Sequence, residues 1–99
     1  MIYQASFNRG VAVDLQGIIA FYETKSGTAL ADAFYQELIQ RIDQVLENPQ
    51  QFPFSTGDRR RVNLRRFPYH ILYRIELGVV RILVLCHHHQ DPKYGTRRF

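Results

Sequence analysis

The sequence predicts an α+β domain in the order β-α-α-β-β-β, an antiparallel sheet with an N-terminal helical hairpin packed on one face. Three observations carry this. Apolar residues recur at a helical period through the first half, and the period becomes two after a loop from Pro49 to Gly57. Val79 to Cys86 is a nearly continuous apolar run broken by Arg81, the pattern of an interior strand. At 99 residues the chain suffices for one core and is short for two, so residues 1–99 read as a single domain.

Ile2 to Phe7 reads as a short strand, with Tyr3, Ala5 and Phe7 alternating against Ile2, Gln4 and Ser6. Asn8 is placed to cap the helix that follows, whose stripe is Val11, Leu15, Ile18 and Tyr22, widened by Ile19. Ser26-Gly27-Thr28 breaks that helix, and Thr28 is placed to cap a second one. Phe34, Leu38, Ile42 and Val45 form the second apolar face, flanked by Tyr35, Ile39 and Leu46. Pro49 ends the helix at Asn48, because it lacks a backbone donor and restricts the residue before it.

Beyond the loop, Val62 and Leu64 alternate with Arg61, Asn63 and Arg65, and Ile71, Tyr73 and Ile75 with His70, Leu72 and Arg74. Leu77-Gly78 makes a tight turn. Counting back from it pairs Ile75 with Val80, Tyr73 with Ile82 and Ile71 with Val84, an apolar set facing the helices, with Cys86 on that side as core. The open face then pairs Arg74 with Arg81, Leu72 with Leu83 and His70 with Leu85, with His87 just beyond. Two arginines directly opposite each other call for an anionic neutraliser, partly Glu76 and beyond it a phosphate backbone or an acidic partner strand.

The formal net charge of +4 is unevenly spread. Residues 1–57 carry three bases against six acids, a net of −3; residues 58–99 carry ten against three, a net of +7. Eleven of the thirteen bases are arginine, whose planar fork suits bidentate contact with phosphate or carboxylate. The C-terminal half therefore expects an anionic partner. Lys93, Arg97 and Arg98 lie in a tail without periodicity, expected to order on a target.

Several classes are set aside. The longest uncharged apolar run, Ile82 to Cys86, is far too short to span a bilayer, and Met1-Ile2-Tyr3-Gln4 has no secretory character. One cysteine makes no internal disulfide, so the expectation is a soluble, cytoplasmic protein of a reducing compartment. His87-His88-His89 puts only His87 and His89 on one strand face, with no second ligand cluster at metal spacing; neither a metal nor a cofactor is expected.

Several segments, in order, resemble the RelE/ParE superfamily of toxins from bacterial type II toxin–antitoxin systems, over nearly the whole chain. Glu47-Asn48-Pro49-Gln50-Gln51-Phe52-Pro53 is similar to the family's "ENP…FP" segment. Phe67-Pro68-Tyr69-His70-Ile71-Leu72-Tyr73-Arg74-Ile75 resembles its "FPYRIYYRV" strand. Val80 to His87 matches a strand ending in histidine, followed by Asp91-Pro92 and a basic tail. The Pro-Phe loop and "FPY" context resemble the ParE-like or plasmid-stabilisation branch. The resemblance implies a growth-inhibiting toxin bound by a cognate antitoxin in a hetero-oligomer. RelE-like members act on the ribosome and cleave mRNA; ParE-like members poison DNA gyrase.

Cleavage by attack of a 2′-hydroxyl needs a base, cations for the phosphorane charge and an acid for the leaving oxygen. Arg61, Arg65, Arg74 and Arg81 are the candidate clamp for phosphate, or for an antitoxin, and His87 and Tyr94 the candidate proton carriers. His70 stands where RelE-like nucleases resemble one another in carrying arginine, and histidine there can contact phosphate or act as base. The arginine pair with histidine and tyrosine nearby favours ribosome-associated mRNA cleavage. His70 itself, the modest charge and the ParE-like context favour gyrase inhibition, and a non-toxic nucleic-acid-binding module is a third reading.

Overall fold

The computed structural model describes residues 2–99. β1 (Gln4–Phe7) leads into α1 (Gly10–Ser26), which runs almost directly into α2 (Thr28–Glu47). The cap position of α1 falls to Arg9, without a side-chain cap, while Asn8, expected there, stands one residue earlier and accepts from the Gly10 backbone N–H at 2.8 Å through its side-chain oxygen. Between the helices Gly27, not Thr28, is the capping residue; its φ of 77° lies in a region that favours glycine. α2 ends at Asn48 ahead of Pro49, as expected.

The segment from Pro49 to Gly57 is more ordered than a loop. It contains a 3-10 turn (Pro49–Gln51) and a further short strand, β2 (Phe54–Thr56). Arg60 holds the segment by donating to the carbonyls of Gln50 and Phe52, with its guanidinium 3.9 Å from the centre of the Phe54 ring. Then come β3 (Arg59–Asn63), β4 (Tyr69–Glu76) and β5 (Val79–His87). The five strands lie in the order β1-β5-β4-β3-β2. β2 to β5 are antiparallel, while β1 adds to the edge parallel to β5. No hairpin turn links β1 to the others, so nothing local fixes its direction as antiparallel.

The core lies between the helical hairpin and one face of the sheet. Phe34, Val45, Val62, Ile71, Tyr73, Val80 and Ile82 are each 1% exposed or less. Tyr22, Phe34, Phe67 and Tyr69 meet with ring centres 5.3–6.3 Å apart, joining the hairpin's closed end to the start of β4. Tyr73 donates its hydroxyl to the Pro49 carbonyl at 2.5 Å, and burial pushes its phenol up to about 12.

The β4–β5 pairing departs from the count at one point. Glu76, Ile75, Arg74 and Tyr73 face Val79, Val80, Arg81 and Ile82 as the turn requires. Leu72 then faces Val84, Ile71 faces Leu85, His70 faces Cys86 and Tyr69 faces His87, with an irregularity between Leu72 and Tyr73 that leaves Leu83 without a partner. Every residue of β5 after the bulge therefore changes face. Leu85 joins the main core, while Leu83, Val84 and Cys86 cluster under Leu72 and Tyr94 on the other side.

Tyr73→Ala should cost about 3–5 kcal/mol through the cavity it leaves. Leu77→Ala, at a turn position 99% exposed, should stay within about 0.5 kcal/mol of the parent. Urea unfolding of the two variants checks the core, and equal stabilities would place it elsewhere.

Candidate functional site on the open face of the sheet

The face turned away from the helices carries Arg59 and Arg61 on β3, His70, Leu72 and Arg74 on β4, and Arg81 and, past the bulge, Val84 and Cys86 on β5. Residues 91–99 return across it, and between them and β2–β3 lies a cavity of about 470 Å³. The tail is fastened. Arg98 reaches α1 and donates to the Asp14 carboxylate from both terminal nitrogens, at 2.6 and 3.1 Å. The Asp14 side chain is 1% exposed and also accepts from the Leu85 N–H at 3.1 Å and from the Tyr94 hydroxyl. Arg98 further contacts the Leu83 carbonyl at 3.1 Å and the Tyr94 hydroxyl at 2.9 Å. A Cβ on Gly10 would come within 2.3 Å of the Arg98 guanidinium carbon, so a side chain there would displace Arg98 from this position.

The arginines have distinct assignments. Arg59 donates to three tail carbonyls, Gly95 at 2.9 Å, Thr96 at 3.1 Å and Arg98 at 2.7 Å. Arg74 and Arg81 do face each other, but each has its own partner. Arg74 pairs with Glu76 at 2.8 Å, and Arg81 donates to the Ser6 hydroxyl at 2.6 Å and the Phe99 carbonyl at 2.9 Å. Arg61 bonds Asn63 at 2.8 Å and approaches His88 at 3.3 Å. Arg65 is not with them. It sits in the β3–β4 connection beside α2, where Glu37 accepts from the backbone N–H groups of Arg65 and Arg66.

The bulge rearranges the histidines. Cys86, expected among the core on the helix side, lies on the open face with its sulfur 3.0 Å from His70 Nε2. His87, expected beside His70, turns to the helix side and packs edge-on against Tyr69 at 5.0 Å between ring centres. His88 takes the open-face place instead, stacked on His70 with their Nδ1 atoms 3.0 Å apart. In one tautomer set the Cys86 thiol donates to His70 Nε2 and His70 Nδ1–H donates to His88 Nδ1, whose single lone pair leaves the longer Arg61 approach at 3.3 Å a charge–dipole contact. Both rings are then neutral. Burial, aided by Arg61 and His88, pushes His70 down to about 4, and burial pushes the Cys86 thiol up to about 11. The chain is a row of neutral donors and acceptors ending at Arg61.

Of the candidate residues, His70, Arg61, Arg74, Arg81 and Tyr94 share the open face; Arg65 and His87 do not. Tyr94 is engaged: its hydrogen bond to Asp14, with burial, holds its phenol above the usual range. The tail, expected to await a target, is already folded. Asp14 and Arg59 were missing from the sequence expectation, which had His88 only in the histidine run and Arg98 only in the tail. Asp14 alone carried a signal, since an acid stands three residues after Val11 and four before Ile18 on the apolar stripe. Among the described residues no group of three or more His, Cys, Asp or Glu is arranged to hold a metal ion. No helix there is long and apolar enough to cross a membrane.

A family model described as the ParE toxin of type II toxin–antitoxin systems, parDE, matches residues 6–92. Among solved structures, one titled "Chromosomal ParDE TA system from P. aeruginosa" shares the fold with a TM-score of 0.78. It is 20% identical, and the match covers 87% of this chain and 96% of that one. No curated protein gives a significant sequence match.

The neutral histidine row has a consequence for stability. His70 titrates near 6.5 when unfolded and about 4 when folded, so between those values the unfolded chain binds the extra proton. Stability should be fully present above pH 6.5 and fall as pH drops towards 4, by on the order of 3 kcal/mol from this group. Urea unfolding at several pH values should show that limb in the parent and a shallower one in His70→Gln.

Proposed function

The chain belongs to the family of ParE toxins of type II toxin–antitoxin systems, and on that premise we propose that it arrests growth by inhibiting DNA gyrase, without cleaving RNA. The observation that carries this reading is the engagement of the proton-transfer groups on the open face. RNA cleavage asks for a base within hydrogen-bond reach of a 2′-hydroxyl and an acid near the leaving oxygen. The Tyr94 hydroxyl donates to Asp14 and is held protonated by it, His70 has both ring nitrogens occupied, and His87 packs on Tyr69. Of the candidate phosphate clamp, Arg81 is bonded to the tail, Arg74 to Glu76 and Arg61 to Asn63, and Arg65 lies off this face. A gyrase inhibitor needs a rigid binding surface rather than free acids and bases, and a strapped sheet supplies one.

The test is pulse labelling of new DNA and new protein just after induction, beside a supercoiling assay with purified gyrase. DNA synthesis should fall first, supercoiling should be inhibited, and His87→Ala should be as toxic as the parent. Protein synthesis falling first, with mRNA cut at the ribosome, would restore the ribosome-directed reading.

The partner in this reading is a cognate antitoxin, and an apolar groove supports where it docks. Between the start of α1 and the middle of α2 a cleft of about 310 Å³ is lined by Val11, Leu15, Leu38 and Ile42, with Phe7, Tyr35 and Ile39 at 49%, 47% and 41% exposure. Exposed apolar side chains gathered in a groove fit the apolar ridge of an amphipathic helix. The arginine-rich face is less open to a peptide, because the chain's own tail lies on it. Ile39→Glu should weaken antitoxin binding at least tenfold by calorimetry while leaving growth arrest intact. Unchanged affinity would move the antitoxin to another surface.

A further inference from the structure

Three of the arginines not bonded to the tail meet on the far side of the molecule, between α2 and the β3–β4 connection. Glu37 accepts from the backbone N–H of Arg66 at 3.0 Å and from that of Arg65, which holds the connection against the helix. Its oxygens thereby bond amides rather than the guanidinium groups of Arg65 and Arg66, while its charge lines the same cleft and acts on Arg41. Arg41 is fixed beside them by the Asn63 carbonyl at 3.0 Å, the Gln44 amide oxygen at 2.5 Å and the Phe52 ring. Arg41 is held below its ordinary value first by burial and then by neighbouring Arg65, against the opposing pull of Glu37. Among the described residues the only ion pairs are Arg74–Glu76 and Arg98–Asp14, so none of these three cations has one.

These side chains line an open cleft of about 270 Å³ whose helix wall carries Gln36, Gln40 and Gln44. The three glutamines succeed each other every four residues along one face of α2, spanning about 12 Å. Measured along the axis of a duplex, where each strand rises about 3.4 Å per phosphate, that length spans three to four base pairs. Guanidinium forks meet phosphate oxygens bidentately, and amide side chains donate to the same oxygens without adding charge. A shallow cleft with cations at its rim suits a chain running across it rather than an enclosed small anion.

We propose that the cleft formed by Arg41, Arg65, Arg66 and the α2 glutamines binds the phosphodiester backbone of duplex DNA, without reading its sequence. The site is separate from the open sheet face and from the apolar groove, and it stands whether or not gyrase is the target.

The test is fluorescence anisotropy of the purified protein with a labelled 20-base-pair duplex at stepped salt. Arg65→Gln/Arg66→Gln removes two exposed guanidinium groups; Lys93→Gln/Arg97→Gln removes the same net charge from exposed positions on the tail. The first pair should weaken binding about tenfold or more at low salt and reduce the slope of log affinity against log salt by about 2. The second should weaken it less than threefold, and thermal melts should show both folded. Equal losses in the two pairs, or an unchanged slope in the first, would overturn the proposal. A competition arm separates a backbone from a free anion: inorganic phosphate should displace the duplex no more than chloride of equal ionic strength. Specific displacement by phosphate would make the cleft a small-anion site and would also overturn it.

Discussion

The open face depends on one buried carboxylate. Asp14 projects from α1 toward β5, loses nearly all contact with water, and is stabilised only because every lone-pair direction is met: by the Leu85 amide, the Tyr94 hydroxyl and both terminal nitrogens of Arg98. Removing a charge from water costs several kcal/mol, and a buried pair recovers this only when its geometry and remaining hydrogen bonds are complete. Three separated parts of the chain must therefore be present together: the first helix, the last strand and residues 94–98. The tail is part of the fold for this reason, and Leu83, Val84 and Cys86 are interior rather than exposed because it lies over them.

That arrangement also divides the positive charge. A C-terminal half with a net of +7 invites a picture of one basic face. Instead Arg59 is consumed by neutral carbonyls, which accept strongly from a guanidinium without cancelling its charge, and Arg74 and Arg81 have partners of their own. Arg59 and Arg81 hold the chain's own backbone where a partner peptide was expected. Arg65 and Arg66 beside α2 face solvent, and they sit where a glutamate positions the loop that bears them.

Much of the fold was legible because it follows from period and punctuation. Phe34, Leu38, Ile42 and Val45 recur at helical spacing and are buried, and Pro49 ends the helix where its missing donor requires. Pairing from the Leu77-Gly78 turn is right as far as Tyr73–Ile82. It then fails because Leu83, Val84 and Leu85 are apolar in succession, and a run buried on both faces carries no information about which side each residue takes. The tail was illegible for a different reason. Its contacts run from Arg98 to Asp14, 84 positions away, and no local pattern in Tyr94 to Arg98 announces a partner that distant.

The bulge at Leu83 is a small geometric event with a chemical outcome. In an unbroken ladder His87 would stand on the open face near the arginines, the placement that proton transfer to RNA requires. With one residue inserted, the histidine that meets Arg61 is His88, and it meets it through a nitrogen already accepting from His70. His70 in turn is buried against a thiol rather than a leucine, and the desolvation that accompanies this removes its charge over the physiological range. A single register shift thus exchanges a set of mobile protons for a rigid, neutral hydrogen-bonded row. Residue types alone do not distinguish the two, since both need the same histidines, cysteine and arginine. What distinguishes them is the face each occupies, and in this chain the faces are set by one unpaired leucine and by the tail that covers it.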